Sequence, residues 1–461
     1  MSKRIVILGG GESGTGAALL AKKKGFDVFV SDQGVLKDKY KEELIAQAIA
    51  FEEGKHSEEY ILSADLIIKS PGIPDKAELV KKAKAKGIEI IDELEFGYRY
   101  LKGKVIAITG TNGKTTTTLL TYHLLKSAGL KVALAGNVGF SLARQVAEQE
   151  HDWYVIEISS FQLDGTTSFK PTVGILLNIT PDHLDRYEYS LQNYVNSKFR
   201  LIRHMDEQST FIYYKDDKIV GTEVKAKLIA AKQIAVSLSD ESTSVHFDGS
   251  KMSFGFGHAY KIAQDETTLK GPHNLINTMA AVSAAEISGV TLEAIRKGLS
   301  TFKNAPHRLE SVGTIKGVEF VNDSKATNVD SVVYALGSYA GPLVWIAGGI
   351  DKGNDYTLIE KEVKAKVRTL ICLGKDNEKL KKKIESLEKG ILKNESKIKS
   401  NEPLINADTD KSAKLRIENN KLEDKNRDAK VEIQNFKTKI EEQNKKADLF
   451  REKQAGLLQT K

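Results

Sequence analysis

Over the first 375 residues, apolar positions cluster in short unbroken blocks separated by longer polar stretches of helical character. Residues 4–8 (RIVIL), 28–31 (VFVS), 65–69 (DLIIK) and 88–91 (IEII) read as strands, with a helix over 17–24 after the first. A second series follows, with strands at 105–109 (VIAIT), 131–134, 154–158, 173–177 and 228–230, and helices over 116–128 and 274–288. Residues 244–263 read as a short antiparallel excursion, and 317–322, 342–347 and 368–373 as three further strands. Strands alternating with helices across short gaps predict parallel sheets covered by helices, an α/β chain. The breaks suggest domains at 1–93, 94–303 and 304–375.

At Asp376 the period changes. No strand pattern follows, and about 45% of residues 376–461 are charged. Leu380, Ile384, Leu387, Ile391 and Ile398 recur at steps of three and four, with Asn394 in the gap. Leu415, Leu422, Ala429, Ile433, Phe436, Ile440 and Ala447 repeat the pattern, with Asn419, Asn426 and Gln443 at polar positions and Pro403 between the two runs. Two amphipathic helices are expected, paired as a hairpin or a coiled coil, with self-association through them as one consequence.

Charge adds one exclusion. The chain carries 69 Lys and Arg against 62 Asp and Glu, a net of +7. Residues 376–461 hold 22 basic and 17 acidic residues, so the body is left with only +2. A nearly neutral body argues against nucleic-acid binding. Cys372 is the single cysteine, which excludes a disulfide framework and fits a reducing cytoplasm. No apolar run reaches membrane-spanning length, and no membrane role is expected.

Two glycine clusters follow strands. Gly9-Gly10-Gly11-Glu12-Ser13-Gly14 contains G-x-G-x-x-G, with Asp32 at the end of the second strand, a pattern suited to a dinucleotide or a nucleotide sugar. Thr109-Gly110-Thr111-Asn112-Gly113-Lys114-Thr115-Thr116 joins a buried strand to a helix. Backbone N–H groups of such a loop face phosphates, Lys114 can neutralise the β/γ-phosphates, and the Thr115 hydroxyl can help ligate Mg²⁺. Its G-x-x-G-K-T spacing is shorter than the usual phosphate loop. Glu157 ends the next apolar strand, well placed for Mg²⁺. His183 and Lys198 lie downstream, and their residue types alone assign neither a role.

Together these segments resemble the Mur ligases, ATP-dependent amide ligases of bacterial cell-wall synthesis with three domains. The resemblance rests on TGTNGKTT (109–116), Gly271-Pro272-His273-Asn274 with Asn277, Pro306-His307-Arg308, and Asn322-Asp323-Ser324-Lys325-Ala326-Thr327-Asn328, in that order. EISSFQLD (157–164) and NITPDHLDRY (178–187) resemble the branch that joins D-glutamate to UDP-N-acetylmuramoyl-L-alanine. The implied fold is a Rossmann-like N-terminal domain, a P-loop ATPase central domain and a truncated Rossmann-like third domain, with a helical tail.

The resemblance also implies roles. Gly11, Ser13, Gly14 and Asp32 would lie in the UDP pocket. Gly110, Asn112, Gly113, Lys114, Thr115 and Thr116 would hold ATP, with Asn274 and Asn277 on adenine and Arg308 and Asp323 on phosphate and ribose. Thr115, Glu157 and His183 would hold Mg²⁺, and a Lys198 carbamylated by CO₂ would serve a second Mg²⁺. His183 is left between metal ligand and base. Asn137 and Ser159 would place the sugar-peptide, and Lys325, Thr327 and Lys352 would approach D-glutamate. Lys114, His183 and Lys198 are the catalytic candidates. The likeness is expected to end near Lys375, where the charged tail replaces the end of the third domain. The alternative function is a nucleotide- and UDP-sugar-binding protein of impaired catalysis with a helical assembly tail.

Overall fold

The computed structural model describes residues 2–74, 76–348, 356–373, 392–402 and 415–434. Two compact units emerge, Met1–Ser338 and Tyr339–Lys461.

The first unit opens with a five-stranded parallel sheet of β1 (Arg4–Leu8), β2 (Asp27–Asp32), β3 (Ala50–Glu53), β4 (Leu66–Lys69) and β5 (Glu89–Asp92), in the order β3-β2-β1-β4-β5. The expected strands at 4–8, 28–31, 65–69 and 88–91 are β1, β2, β4 and β5. The edge strand β3 (AFEE) escaped the sequence reading because its half-exposed polar residues make no apolar block. The first helix begins at Glu12 rather than Ala17. Its start depends on Gly14, where a Cβ would fall 1.7 Å from the Gly9 carbonyl oxygen.

A nine-stranded sheet follows. Its strands are β6 (Lys104–Thr109), β7 (Val132–Gly136), β8 (Trp153–Glu157), β9 (Val173–Leu176), β10 (Thr210–Tyr214), β11 (Lys232–Ser237), β12 (Val245–Phe247), β13 (Lys251–Phe254) and β14 (Tyr260–Ala263). They lie in the order β14-β13-β12-β11-β10-β9-β6-β8-β7. Pairing is parallel from β7 to β12 and antiparallel over β12-β13-β14, matching the excursion expected at 244–263. One expectation fails. Residues 228–230 are not a strand, and Leu228 is fully exposed; the strand starts at Lys232. Three apolar residues in a row satisfy the strand pattern, but residues 227–230 link the helix Lys218–Ala226 to β11 without pairing to any strand, and of the three only Ile229 leans on the core. The helices Lys114–Ser127 and Pro272–Ile287 pack together on this sheet, burying Leu120, Leu124, Met279 and Val282.

The two sheets are tied through the helix Leu142–Glu148. Arg144, 7% exposed, pairs with Glu12 at 2.8 Å and with Glu43, both from the first sheet's helices. Gly16 packs where a Cβ would strike Ser141 Oγ. At the same junction Glu93 Oε1 accepts the Ala143 N–H at 2.6 Å. Burial, then the neighbouring Asp92, pushes the Glu93 carboxyl up to about 8, and burial pushes Asp92 up to about 7. Both groups hold a proton in the folded chain that the unfolded chain releases at lower pH. Stability is therefore greatest below pH 4 as far as this pair is concerned, and falls as pH rises toward 8. Glu93→Gln keeps the acceptor and removes the titration. It should match the parent near pH 5 and exceed it near pH 9 by roughly 2–4 kcal/mol, read from urea unfolding at both pH values.

The first unit ends with an antiparallel pair, β15 (Glu310–Ile315) and β16 (Val318–Asn322), and the helix Val329–Gly337. In the second unit β17 (Leu343–Gly348) and β18 (Val367–Leu373) pair in parallel. Helices cover 392–402 and 415–434. Asn394 Nδ2 donates to Asn426 Oδ1 at 2.9 Å and Asn401 Nδ2 to Asn419 Oδ1 at 2.8 Å. Lys430 meets Glu395 and Lys397 meets Glu418. Rising numbers on one helix meet falling numbers on the other, so these helices form an antiparallel hairpin. These asparagines, all but the half-buried Asn394 sealed from solvent, satisfy one another and set its register. Of the expected apolar positions, Ile398, Leu415, Leu422, Ala429 and Ile433 fall on these helices, and Leu380, Ile384, Leu387, Ile391, Phe436, Ile440 and Ala447 lie outside the described residues.

Candidate functional site

The carboxyl edge of the nine-stranded sheet is where the chemistry gathers. β6 has β8 on one side and β9 on the other, so loops leaving these strands diverge and open a crevice. Ile108 pairs with Glu157, and Gly136 pairs with Glu157 from the other side. The loop after β6, Asn137 after β7, Glu157 at the end of β8 and Asn178–His183 after β9 are thereby brought to one place. A cavity of about 650 Å³ lies there.

The glycine loop turns into its helix at Gly113, whose φ of 85° is open to glycine. A Cβ there would also meet Asn277 Oδ1 at 2.4 Å. Lys114 Nζ donates to the Gly110 and Thr111 carbonyls, both at 2.9 Å. Lys198, 1% exposed, reaches the same Gly110 carbonyl at 2.8 Å from behind the loop, its ammonium 4.6 Å from the centre of the Tyr194 ring. Burial lowers the Lys114 ammonium. Burial, reinforced by Lys114, lowers Lys198 well below the usual lysine range.

Glu157 is 2% exposed. Its Oε1 accepts from Asn137 Nδ2 at 2.9 Å, whereas Oε2 is sealed from solvent with no hydrogen-bond partner. Such a buried carboxylate oxygen, lining a cavity beside a phosphate loop, suits a hard divalent cation. Among the described residues no group of three or more His, Cys, Asp or Glu side chains stands ready to hold a metal. A cation here would take its remaining ligands from Thr115, phosphate and water. His183 also lines the cavity, at a φ of 53° and edge-on to Phe161 at 5.3 Å. His307, at a φ of 66°, lines another part of it. Left-handed backbone at two cavity histidines is strain held where function is expected.

Residues after 300 close the cavity. Arg308 donates to Thr115 Oγ1 at 3.0 Å, and Asp323 Oδ1 accepts the Leu309 N–H at 3.0 Å. Lys325 and Thr327 line the cavity with them. Asn274 and Asn277 are buried in a relay in which Asn277 Nδ2 donates to Asn274 Oδ1 and Thr117 Oγ1 donates to Asn277 Oδ1.

Profiles of known families match in order along the chain: a MurD-like N-terminal domain over 3–92, a Mur ligase middle domain over 108–285, and a Mur ligase glutamate ligase domain over 307–414. Proteins named UDP-N-acetylmuramoylalanine–D-glutamate ligase from Bacteroides fragilis and Cytophaga hutchinsonii are 52% identical over 379 residues and 51% over 393. Each match spans 82% of this chain, and 85% and 86% of those proteins respectively. This chain belongs to the Mur ligase family. Solved Mur ligases share its fold. UDP-N-acetylmuramate–alanine ligase from Thermotoga maritima has a TM-score of 0.53 at 17% identity, covering 81% of this chain and 91% of that one. MurF from Acinetobacter baumannii also scores 0.53, at 18% identity over 80% of each chain. The third profile runs past Lys375, where the likeness was expected to end, to residue 414.

Of the expected Mur ligase site residues, Asn112, Gly113, Lys114, Thr115, Thr116, Asn137, Glu157, His183, Asn274, Asn277, Arg308, Asp323, Lys325 and Thr327 line one cavity. Gly110 belongs to the phosphate loop, and Lys198 holds its carbonyl from behind. Ser159 caps the helix Ser160–Asp164 in a reciprocal box with Gln162. Gly11, Ser13, Gly14 and Asp32 sit at the carboxyl edge of the first sheet. There both Asp32 oxygens are taken by backbone N–H groups of Gly10 and Gly34, each at 2.7 Å. Lys352 lies outside the described residues. The sequence reading missed Tyr214, Asp217, Asn304, Ser331 and Tyr334, which also line the cavity. It quoted His273 only as part of a motif. Burial pushes that imidazole down to about 4, and its Nδ1 is buried without a partner. No local spacing signals Tyr214 or Tyr334, which come from a strand and a helix about 120 residues apart.

Proposed function

We propose that this chain forms the amide bond between the carboxyl group of UDP-N-acetylmuramoyl-L-alanine and the amine of D-glutamate in peptidoglycan synthesis, with ATP converted to ADP and phosphate. The observation that supports this most is the shared cavity of the Lys114 loop and the unpartnered Glu157 oxygen. The likeness to named D-glutamate ligases points to the acceptor.

A carboxylate has oxide as its leaving group and acylates poorly. A carboxylate oxygen attacks the γ-phosphorus of ATP and the bond to ADP breaks, giving an acyl phosphate. The amine of D-glutamate then attacks the carbonyl carbon and loses a proton, and phosphate departs with its bonding pair. Charge accumulates on phosphoryl oxygens throughout, so the protein needs positioned cations and donors more than a nucleophile. Lys114 swings from its loop carbonyls onto phosphate, and Arg308 contributes the second cation. Backbone N–H groups at the start of the Lys114–Ser127 helix hold the triphosphate. Asn274 and Asn277 shape the nucleoside side, and Asp323 orients the Arg308 segment. Asn137 and Ser159 place the sugar-peptide, and Lys325, Thr327 and Lys352 attract the D-glutamate carboxylates. His183 holds metal or takes the amine proton. Gly11, Ser13, Gly14 and Asp32 form the turn that receives the UDP group.

Thr115, Glu157 and His183 would hold Mg²⁺, which when bound neutralises phosphoryl oxygens. Burial and the neighbouring Lys114 shift Lys198 toward the neutral amine, the form that adds CO₂. Its carbamate would exchange a cation repelled by Lys114 for an anion able to serve a second Mg²⁺. Carbon-13-labelled bicarbonate should give a carbamate NMR signal that Lys198→Ala removes; a signal unchanged in that variant would exclude the modification.

The decisive assay is phosphate release. It should require ATP, Mg²⁺, UDP-N-acetylmuramoyl-L-alanine and D-glutamate together. L-lysine working in place of D-glutamate would refute the acceptor. Calorimetric binding of ATP with no ADP formed would favour the binding-protein alternative. We place the reaction in the bacterial cytoplasm, where ATP is available; among the described residues no helix is long and apolar enough to cross a membrane. Self-association belongs to the proposal through the exposed Leu392, Ile417 and Val431 of the hairpin, and light scattering of the full chain would detect it.

A further inference from the structure

Asn112 occupies an unusual position in the phosphate loop. Its backbone is clamped on both sides by one neighbour: the Asn112 N–H donates to Asn178 Oδ1 at 2.8 Å, and Asn178 Nδ2 donates to the Asn112 carbonyl at 3.0 Å. Its side-chain oxygen faces residues more than 200 positions later. Asn328 Nδ2 donates to Asn112 Oδ1 at 2.9 Å, and Ser331 Oγ lies 2.9 Å from the same oxygen. Asn328 Oδ1 in turn accepts the Ser331 N–H at 2.9 Å and caps the helix Val329–Gly337. Asn112 Nδ2 has no partner among the described residues, and Asn112 lines the cavity.

We propose that Asn112, Asn328 and Ser331 form a latch by which an occupied phosphate loop positions the segment Lys325–Ser331 for the acceptor amino acid. This rests on the ATP-dependent ligase reading above. Phosphate oxygens only accept hydrogen bonds. A triphosphate in the loop therefore favours the Asn112 amide with Nδ2 toward the cavity. That orientation presents Oδ1 to Asn328 Nδ2, which can only donate, and to the Ser331 hydroxyl, whose single proton is shared between Asn112 Oδ1 at 2.9 Å and Asn328 Oδ1 at 2.8 Å. The reverse orientation would set NH₂ against the NH₂ of Asn328 and break the latch. One amide thus reads phosphate on one side and the acceptor segment on the other. Lys325 and Thr327, three and one residues before Asn328, move with it. Asn328 and Ser331 act through Asn112 and are positioning residues.

The test uses the full chain and the double variant Asn328→Ser/Ser331→Ala. Serine at 328 can still cap the helix but is too short to reach Asn112. Two readouts are needed. In steady state the KM for D-glutamate should rise about tenfold while the KM for ATP changes less than about threefold, a coupling of ordinary allosteric size. In hydrogen exchange, the β,γ-imido analogue of ATP should protect residues 325–335 in the parent and lose that protection in the double variant. Ser331→Thr, which retains the hydroxyl, should behave as the parent. Equal protection of 325–335 in parent and double variant overturns the latch, as does an unchanged KM for D-glutamate. If the parent does not bind the analogue at all, the ligase reading has failed and the latch fails with it; binding without the segment's response sinks the latch alone.

Discussion

Replacing Lys114 with methionine should lower the rate of ADP formation by about 10²–10³-fold, the usual loss when one preorganised charge facing a developing anion is removed. The fold should survive. Lys114 is half-buried at the cavity wall, its ammonium donates to two carbonyls of its own loop, and desolvation already disfavours its charge. Methionine has similar length and no charge to desolvate, so the melting temperature should hold or rise. Coupled-enzyme detection of ADP alongside thermal unfolding separates the two effects. A variant with more than a tenth of parental turnover would mean that the loop does not hold the transferred phosphate. The KM for UDP-N-acetylmuramoyl-L-alanine should change little, since the Gly9–Gly14 turn and Asp32 belong to the other sheet.

Glu157→Gln should have an effect of similar size with a different signature. The parent carboxylate satisfies one oxygen with Asn137 and leaves the other sealed without a partner. Glutamine removes the charge and places either an oxygen or an NH₂ at that point. Turnover at moderate Mg²⁺ should fall about 10²-fold, and the Mg²⁺ concentration giving half-maximal rate should rise by about tenfold or more. Paramagnetic resonance of Mn²⁺ in the presence of ATP should show weaker retention of the ion. If Mg²⁺ dependence and Mn²⁺ retention both match the parent, Glu157 is a structural partner of Asn137 and the cation site lies elsewhere. High Mg²⁺ should recover part of the loss, which it should not do for Lys114→Met.

How far these residues were legible beforehand depends on the range of the interaction that places them. The Thr109–Thr116 loop was readable because strand, glycine turn and helix follow one another within a dozen residues. Glu157 was readable as the last residue of an apolar strand, though only the parallel pairing of β8 beside β6 makes it face the loop. Lys198 was uninterpretable as a lone lysine in a polar context. The fold buries it against Gly110, 88 residues earlier, and so changes its acidity. The edge strand β3 and the false strand at 228–230 failed for a related reason. Short segments take their conformation from what they pair with, and their own apolar content reports it poorly. The tail asparagines were seen only as polar interruptions of a heptad seam. Their pairing across the hairpin, Asn394 with Asn426 and Asn401 with Asn419, depends on an antiparallel register that the spacing alone leaves open.

The order of strands and helices, the position of the phosphate loop and the kinship with the Mur ligases are written in local pattern, because hydrophobic period and glycine placement act over a few residues at a time. The assembly of Lys114, Glu157, His183, Arg308 and Asp323 around one cavity, the acidity of Lys198 and Glu93, and the reach of Asn328 and Ser331 to Asn112 were decided by tertiary structure. Those properties depend on which side chains are excluded from water together, and that is set by strand pairing across long stretches of chain.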